Sequence, residues 1–260
     1  VSRGSLKRSL SSSLNSGLSP KRSASSSLEK TREKTQGVTI WLPLVGGGMV
    51  AEDLLVAAMT NLRCIEWDNI TEDLMTGSIC GPHKSDISQL YSLSRQIAEG
   101  ETIDFFLSHS WHDDAVDKYQ KLTAVVNNFR RKHGRYPTFW LDKVCIDQNH
   151  INDCLLVLPV NVLACTKVLV VCGDTYVERL WCIWELFILF AFGRGDRAIL
   201  VPLDSNQKDV LAELGQFDSL RAYCYDPNEE ARLREVIDKV GTSGFNDQIR
   251  ELSGKVKKVG

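Results

Sequence analysis

The sequence predicts an α/β fold over residues 101–240, a parallel sheet of five strands covered by helices on both faces, and three observations carry it. From Thr102 onward, short apolar runs alternate with longer amphipathic or apolar ones, the strand-helix alternation that builds a parallel sheet. Lys167 to Cys172 is a continuous Val-rich run closed by Gly173 and Asp174, as in a strand buried on both faces. Leu180 to Phe192 is nearly unbroken in apolar residues over thirteen positions, too long for one more interior strand and too short to span a bilayer.

The elements follow in order. Ile103 to Ser108 reads as the first strand, and Asp114 to Lys132 as a helix that turns Val116, Tyr119, Leu122, Val125, Val126 and Phe129 inward. Gly134 ends that helix, because glycine adopts the left-handed closing conformation at low cost. Pro137 to Leu141 is the second strand, Leu155 to Cys165 a helix, Lys167 to Cys172 the third strand and Leu180 to Phe192 the core helix. Asp174 and Thr175 suit the loop and cap between the last two. Arg197 to Leu203 is the fourth strand, Asn206 to Leu214 a short helix and Leu220 to Tyr225 the fifth strand. Pro227 opens a helix through Val240, its fixed φ suiting a first turn. The tail, 241–260, is polar and basic and is expected to fray.

The chain upstream differs in character. Residues 1–36 are Ser-rich with Lys and Arg, too poor in apolar surface to offset chain entropy, so disorder is expected. Ser9 and Ser19 stand beside basic residues where phosphorylation would neutralise the tail. Residues 37–100 read as an N-terminal extension packed on the main domain. Gly46-Gly47-Gly48 after an apolar run resembles a phosphate cradle only in its glycines, lacking the spacing and the Lys-Ser/Thr ending, and a hinge is the plainer reading. A helix is expected from Asp86 to Ala98.

Composition bounds the chemistry. The 260 residues are 43% hydrophobic and 25% charged with a net charge of −2, a globular composition that demands no polyanionic partner such as nucleic acid. Residues 1–36 hold eight Lys/Arg against two Asp/Glu, leaving 23 against 31 for the rest, a basic tail on an acidic body. The eight cysteines form no C-x-x-C pair and lie mostly in apolar runs, as reduced core residues do, so a cytoplasmic protein is expected. His109 and His112 complete no tetrahedral ligand set, so no metal is expected. No signal peptide or membrane span is read, and a chain beginning without Met is expected to be a fragment or processed product.

Within the core helix one ionisable residue, Glu185, must reach something polar, since burying an unpaired carboxylate costs several kcal/mol. Either its side chain escapes to Arg179, Arg194 or water, or it stands at the rim of a cleft. Ligands of parallel sheets bind beyond the carboxyl ends of the strands, which selects three loops: Ser108 to Asp113, Asp142 to Gln148, and Gly173 to Leu180. The third leads into the helix that carries Glu185.

Those loops carry a resemblance. IDFFLSHSWHDD at 103–114, TFWLDKVCID at 138–147 and YVERLWCIWELF at 176–187 resemble the first strand, the second strand with BB loop, and the S-x-W-C-x-x-E-L motif of the Toll/interleukin-1 receptor (TIR) family. Similar S-H-S-W, W-x-D-K-x-C-I-D-Q and R-L-W-C-x-W-E sequences occur in TIR-like proteins of protists and oomycetes. The resemblance implies a flavodoxin-like three-layer sandwich. Arg179-Leu180 departs from the usual Ser before Trp181, and the BB loop lacks Pro-Gly.

Many TIR domains cleave the nicotinamide-ribose bond of NAD+, and the match makes Glu185 the catalytic carboxylate, with NAD+ as substrate and no resident cofactor. One acid suffices in principle, because nicotinamide leaves as a neutral base, unlike the leaving group of an ordinary glycoside. By the same resemblance Ser108, His109, Ser110, Trp111, Trp140 and Asp142 are substrate-binding candidates, and Lys143, Val144, Cys145, Ile146, Asp147 and Gln148 of the BB loop an interaction surface for other TIR domains. Trp181 reads as core. Three functions stay open: a TIR NAD+ glycohydrolase acting in self-association, a non-enzymatic TIR adaptor, and an enzyme like the nucleoside deoxyribosyltransferases.

Overall fold

The computed structural model describes residues 62–76, 89–147, 151–206, 208–255 and 257–258. The expectations for the basic tail, the triple glycine, Gln148 and the start of the Asp86–Ala98 helix lie outside them. Seven strands form one sheet in the order β2-β1-β4-β3-β5-β6-β7. They are β1 (Arg63–Glu66), β2 (Ser94–Gln96), β3 (Ile103–His109), β4 (Thr138–Trp140), β5 (Cys165–Cys172), β6 (Ala198–Pro202) and β7 (Lys257–Lys258). From β4 to β7 every pairing is parallel. The parallel strands therefore run second-first-third-fourth-fifth, the flavodoxin-like order, whose chain direction switches between β3 and β5.

The described helices are α1 (Glu72–Thr76), α2 (Ala115–His133), α3 (Asp142–Cys145), α4 (Ile151–Ala164), α5 (Leu180–Ala191), α6 (Val210–Gly215), α7 (Pro227–Val240) and α8 (Thr242–Leu252). They cover both sheet faces. Alternation along β3 sends Phe105 and Leu107 to the α2 face, with Leu122 and Val126, and Phe106 to the α5 face, with Ile183 and Phe187. Ser108, next in the same alternation, turns a hydroxyl toward α5. Gly134 closes α2 at φ +72°, and its N–H bonds Arg130 O. No described helix is long and apolar enough to cross a membrane.

Two sheet edges differ from expectation. The predicted fifth strand, Leu220 to Tyr225, forms only one isolated bridge, Arg179 to Tyr223. Ala222 and Cys224 point inward while Leu220, Tyr223 and Tyr225 face solvent, so the alternation was real but belongs to a loop. The place beside β6 goes instead to β7, brought back by α8, whose Phe245, Ile249 and Leu252 are buried. The tail expected to fray is thus folded through α8. At the other edge, Ser94–Gln96 lies inside the expected 86–98 helix but pairs with β1, which pairs with β4 antiparallel. Residues 62–66 and 94–96 are therefore strands of the same sheet, and a boundary at 101 cuts through it.

Candidate functional site

The site forms where the carboxyl ends of β3 and β5 diverge. Asp113, in the loop after β3, reaches across to the loop after β5: its carboxylate accepts from Gly173 N (2.9 Å), Thr175 N (2.9 Å) and the Thr175 hydroxyl (2.7 Å). A Cβ on Gly173 would lie 2.6 Å from Asp113 Cγ, so glycine is what admits the carboxylate. The brace sets the start of α5 over Ser108.

Glu185 is 2% exposed in the middle of α5. Its Oε2 accepts from Ser108 Oγ at 2.5 Å, its Oε1 from Trp181 Nε1 at 3.1 Å, and the Tyr176 hydroxyl lies 2.7 Å from Ser108 Oγ. With Ser108 donating to the carboxylate, Tyr176 donates to Ser108, and each hydroxyl spends its single proton. Burial pushes the Glu185 carboxyl well above the ordinary value of 4.5; the negative field of Asp142 adds to that, and the two donors oppose it. Neither Arg179 nor Arg194 meets it. The Arg179 guanidinium lies instead over the Tyr223 ring, 5.2 Å from its centroid.

Outside this well lies a pocket of about 270 Å³ lined by His109, Ser110, Trp111, Asp142, Lys143, Ile146, Arg179, Trp181, Cys182, Cys224, Tyr225 and Glu229. Trp181 separates pocket from acid: it lines the pocket and donates to Glu185. His109 is 6% exposed, and both its ring nitrogens are buried without a hydrogen-bond partner. Burial, then the nearby Lys118 charge, push its pKa well below 6.5, so it is a neutral imidazole, edge-on to Trp111 at 4.3 Å. The Lys143 ammonium sits 4.1 Å above the Trp111 ring. Lys118, wholly buried below, donates to Ser110 O at 2.8 Å, and desolvation lowers its pKa to about 8.

The expected site residues divide. His109, Ser110, Trp111, Asp142 and Lys143 line the pocket, whereas Ser108 and Glu185 lie in the well behind Trp181. Trp140, expected to stack on substrate, is 1% exposed and stacks on Phe106 at 4.5 Å in the core; its position on a central strand leaves it no path to the pocket. Trp181, expected in the core, is the pocket wall. The BB loop is not an open surface: Asp142–Cys145 is a helical turn, and Val144, Cys145 and Ile146 are buried. Val144 packs with Ile65 and Leu141 in one core cluster, Cys145 and Ile146 with Cys64 in the other, and Ser94 Oγ donates to Val144 O at 2.9 Å. Lys143 and Asp147 stay partly exposed.

Sequence reasoning did not assign Tyr176, Arg179 and Glu229 to the site. Tyr176 had a local signal, a hydroxyl two residues past the strand-closing Gly173-Asp174. Glu229 had none, because it reaches the pocket from α7 by tertiary packing alone. Among the described residues Cys64, Glu66 and Glu101 come close enough together to hold a metal ion, yet the Arg95 guanidinium already bonds both carboxylates, at 2.5 and 2.6 Å.

No family model matches the chain, and no curated protein does. Among solved structures it is similar to the one titled "Structure of the activated Roq1 resistosome directly recognizing the pathogen effector XopQ (TIR domains)", at 12% identity and a TM-score of 0.33, over 60% of this chain and 87% of that chain. A likeness of that size says nothing about this chain's chemistry.

Proposed function

We propose that this chain is a TIR-type NAD+ glycohydrolase in a closed resting form, with Glu185 as its catalytic carboxylate. The observation that supports it is the Glu185 well: a carboxyl buried in an apolar helix, held among the described residues by Ser108 and Trp181, at the switch point of the sheet and one side chain behind a pocket. Such an acid adds little to stability and is suited to meet a cation. The pocket suits nicotinamide with its ribose better than a whole dinucleotide, the remainder extending outward.

Chemistry follows from rotation of Trp181 away from Oε1. That exposes the carboxyl to the pyridinium ribose, whose positive charge favours the ionised acid. The carboxylate then stabilises the developing oxocarbenium charge while nicotinamide leaves as a neutral base, with water completing hydrolysis. Ser108 holds the second oxygen in place, and neutral His109 offers one donor and one acceptor to the substrate.

A second reading, an association module without chemistry, draws support from another observation. Leu220 (74% exposed), Tyr223 (47%) and Tyr225 (83%) are exposed in one loop, of which Tyr225 lines the pocket, and exposed aromatic and aliphatic side chains in one loop suit a protein partner. Both readings include association with other TIR domains. NAD+ consumption by the full chain immobilised at high density, beside Glu185→Gln, separates them. Turnover by the native chain and its loss, by about 100-fold or more, in a variant that melts normally supports the glycohydrolase. No turnover from either at densities that drive self-association leaves the association module.

A further inference from the structure

Arg179 stands where α5 begins. Its backbone is extended there, its side chain makes no capping bond, and the first turn of α5 carries no acid. Arg179 lines the pocket, and its Nη1 is buried without a hydrogen-bond partner among the described residues. Guanidinium presents donors in a fixed fork that matches a phosphate, and a buried donor left unmet is a standing cost that a ligand removes. Lys143 brings a second cation to the same wall. The amino end of a twelve-residue helix, α5, adds partial positive charge. His109, almost wholly buried, has neither ring nitrogen in a well-formed hydrogen bond among the described residues, although the Ser110 backbone lies beside the ring, and is a second and independent mark of a missing ligand.

Two acids share the wall, Asp142 in the field of Lys143 and Glu229 in the field of Arg179, and a phosphate there competes with both. Asp142 turns its oxygens to Lys143 N at 2.6 Å and Trp111 Nε1 at 3.4 Å. Burial raises the pKa of both carboxyls, and the Lys143 and Arg179 charges oppose that rise.

Resting on the glycohydrolase reading, we infer that Arg179 and Lys143 grip a ribose 5′-phosphate, so that the site takes nicotinamide nucleotides in preference to the nucleoside. The ring and ribose occupy the space beside Trp111 and His109, and the phosphate marks the mouth of the pocket. Arg179 stands where related motifs carry Ser, so this anchor is a property of this chain's own residues.

The test is calorimetric titration of the full chain carrying Glu185→Gln, which prevents turnover, with nicotinamide mononucleotide and with nicotinamide riboside. The mononucleotide is expected to bind about tenfold tighter or more. Adding Arg179→Gln should bring it to the level of the riboside and leave the riboside unchanged, with Arg179→Lys in between. Equal binding of the two probes, binding of neither, or equal weakening of both by Arg179→Gln overturns the inference. Should Glu185→Gln fail to fold, the native chain is titrated with ribose 5-phosphate against ribose, neither of which holds a cleavable base, and the same contrast is required. Inorganic phosphate should compete with the mononucleotide, and competition that survives Arg179→Gln also counts against the inference. Tight mononucleotide binding through Arg179 without NAD+ turnover by the native chain removes the glycohydrolase reading and keeps this one. Turnover with both probes bound alike does the reverse.

Discussion

Two buried carboxylates flank the switch loop, and they are bound in different ways. Asp113 accepts from two backbone N–H groups and a hydroxyl belonging to the loop it ties down. Among the described residues Glu185 accepts from two side chains, Ser108 and Trp181, each free in principle to rotate. The first acid is built into the backbone and cannot leave without breaking the loop. The second is held by groups that can let go, and its burial keeps it protonated at pH values where an ordinary glutamate is ionised. A carboxylate satisfied by backbone is a brace, whereas one satisfied by rotatable neighbours and desolvated is available for chemistry.

The largest effect that tests this contrast is at the brace. Asp113→Ala leaves three donors facing a void, and about 3 kcal/mol or more of stability should be lost, read from the denaturant midpoint. Gly173→Ala drives a methyl into the same carboxylate, for a loss of about 1–3 kcal/mol. If Asp113→Ala melted like the native chain, the loop would be held by something else and the contrast would collapse.

Glu185→Gln should act through pH. A folded-state carboxyl with a raised pKa keeps its proton while the unfolded chain has lost it above about 4.5, so native stability falls as pH rises toward the folded value. Glutamine removes that slope. The two proteins should therefore diverge as pH rises from about 4.5 into the alkaline range, with the variant gaining relative to the native chain, by about 1.4 kcal/mol per pH unit at most. Lys118, lowered to about 8, also titrates in this range, and His109 loses stability as pH falls below 6.5, but both are common to the two proteins. Parallel melting curves across that range would mean that Glu185 is ionised when folded, and the well would be a second brace.

A smaller effect lies in the relay itself. Tyr176→Phe removes the hydroxyl behind Ser108 and should cost about 1 kcal/mol, leaving the pH slope of Glu185 in place. Trp181→Phe removes the donor to Oε1 while keeping most of the wall, and should extend that slope to higher pH, because the bond it deletes favours the ionised acid.

Much of this contrast was legible beforehand, and the reasons are physical. The strands at 103–109 and 165–172 and the helix at 180–191 announced themselves because buried elements of a parallel sheet are apolar throughout, and one acid in such a helix had to be satisfied by something. Its partners were not legible. Ser108 meets Glu185 across 77 positions of chain, which no local pattern records. Trp140 and Trp181 were exchanged because aromatic residues in apolar runs look alike until register assigns one to the core and the other to a pocket wall. The edges misled for the opposite reason: a two-residue strand at 257–258 has no periodicity to read, while 220–225 alternates cleanly and is a loop.

That loop supplies the smallest expected change in stability. Leu220 and Tyr225 are the most exposed large apolar side chains among the described residues and make no core contact, so Leu220→Ser with Tyr225→Ser should alter stability by no more than about 0.5 kcal/mol per site. Exposed apolar surface of this kind acts through association instead. Sedimentation of the native and double-substituted chains across a concentration series reads it directly. A weaker self-association in the variant, with an unchanged melting temperature, would place the docking surface on this loop, next to the Arg179 and Tyr223 contact that sets the first turn of α5. The Glu185 well would then be linked to assembly through backbone, since Leu180 N donates to Tyr223 O at 3.0 Å and Tyr223 N to Glu178 O at 2.9 Å. Identical sedimentation would confine the loop to forming the pocket wall.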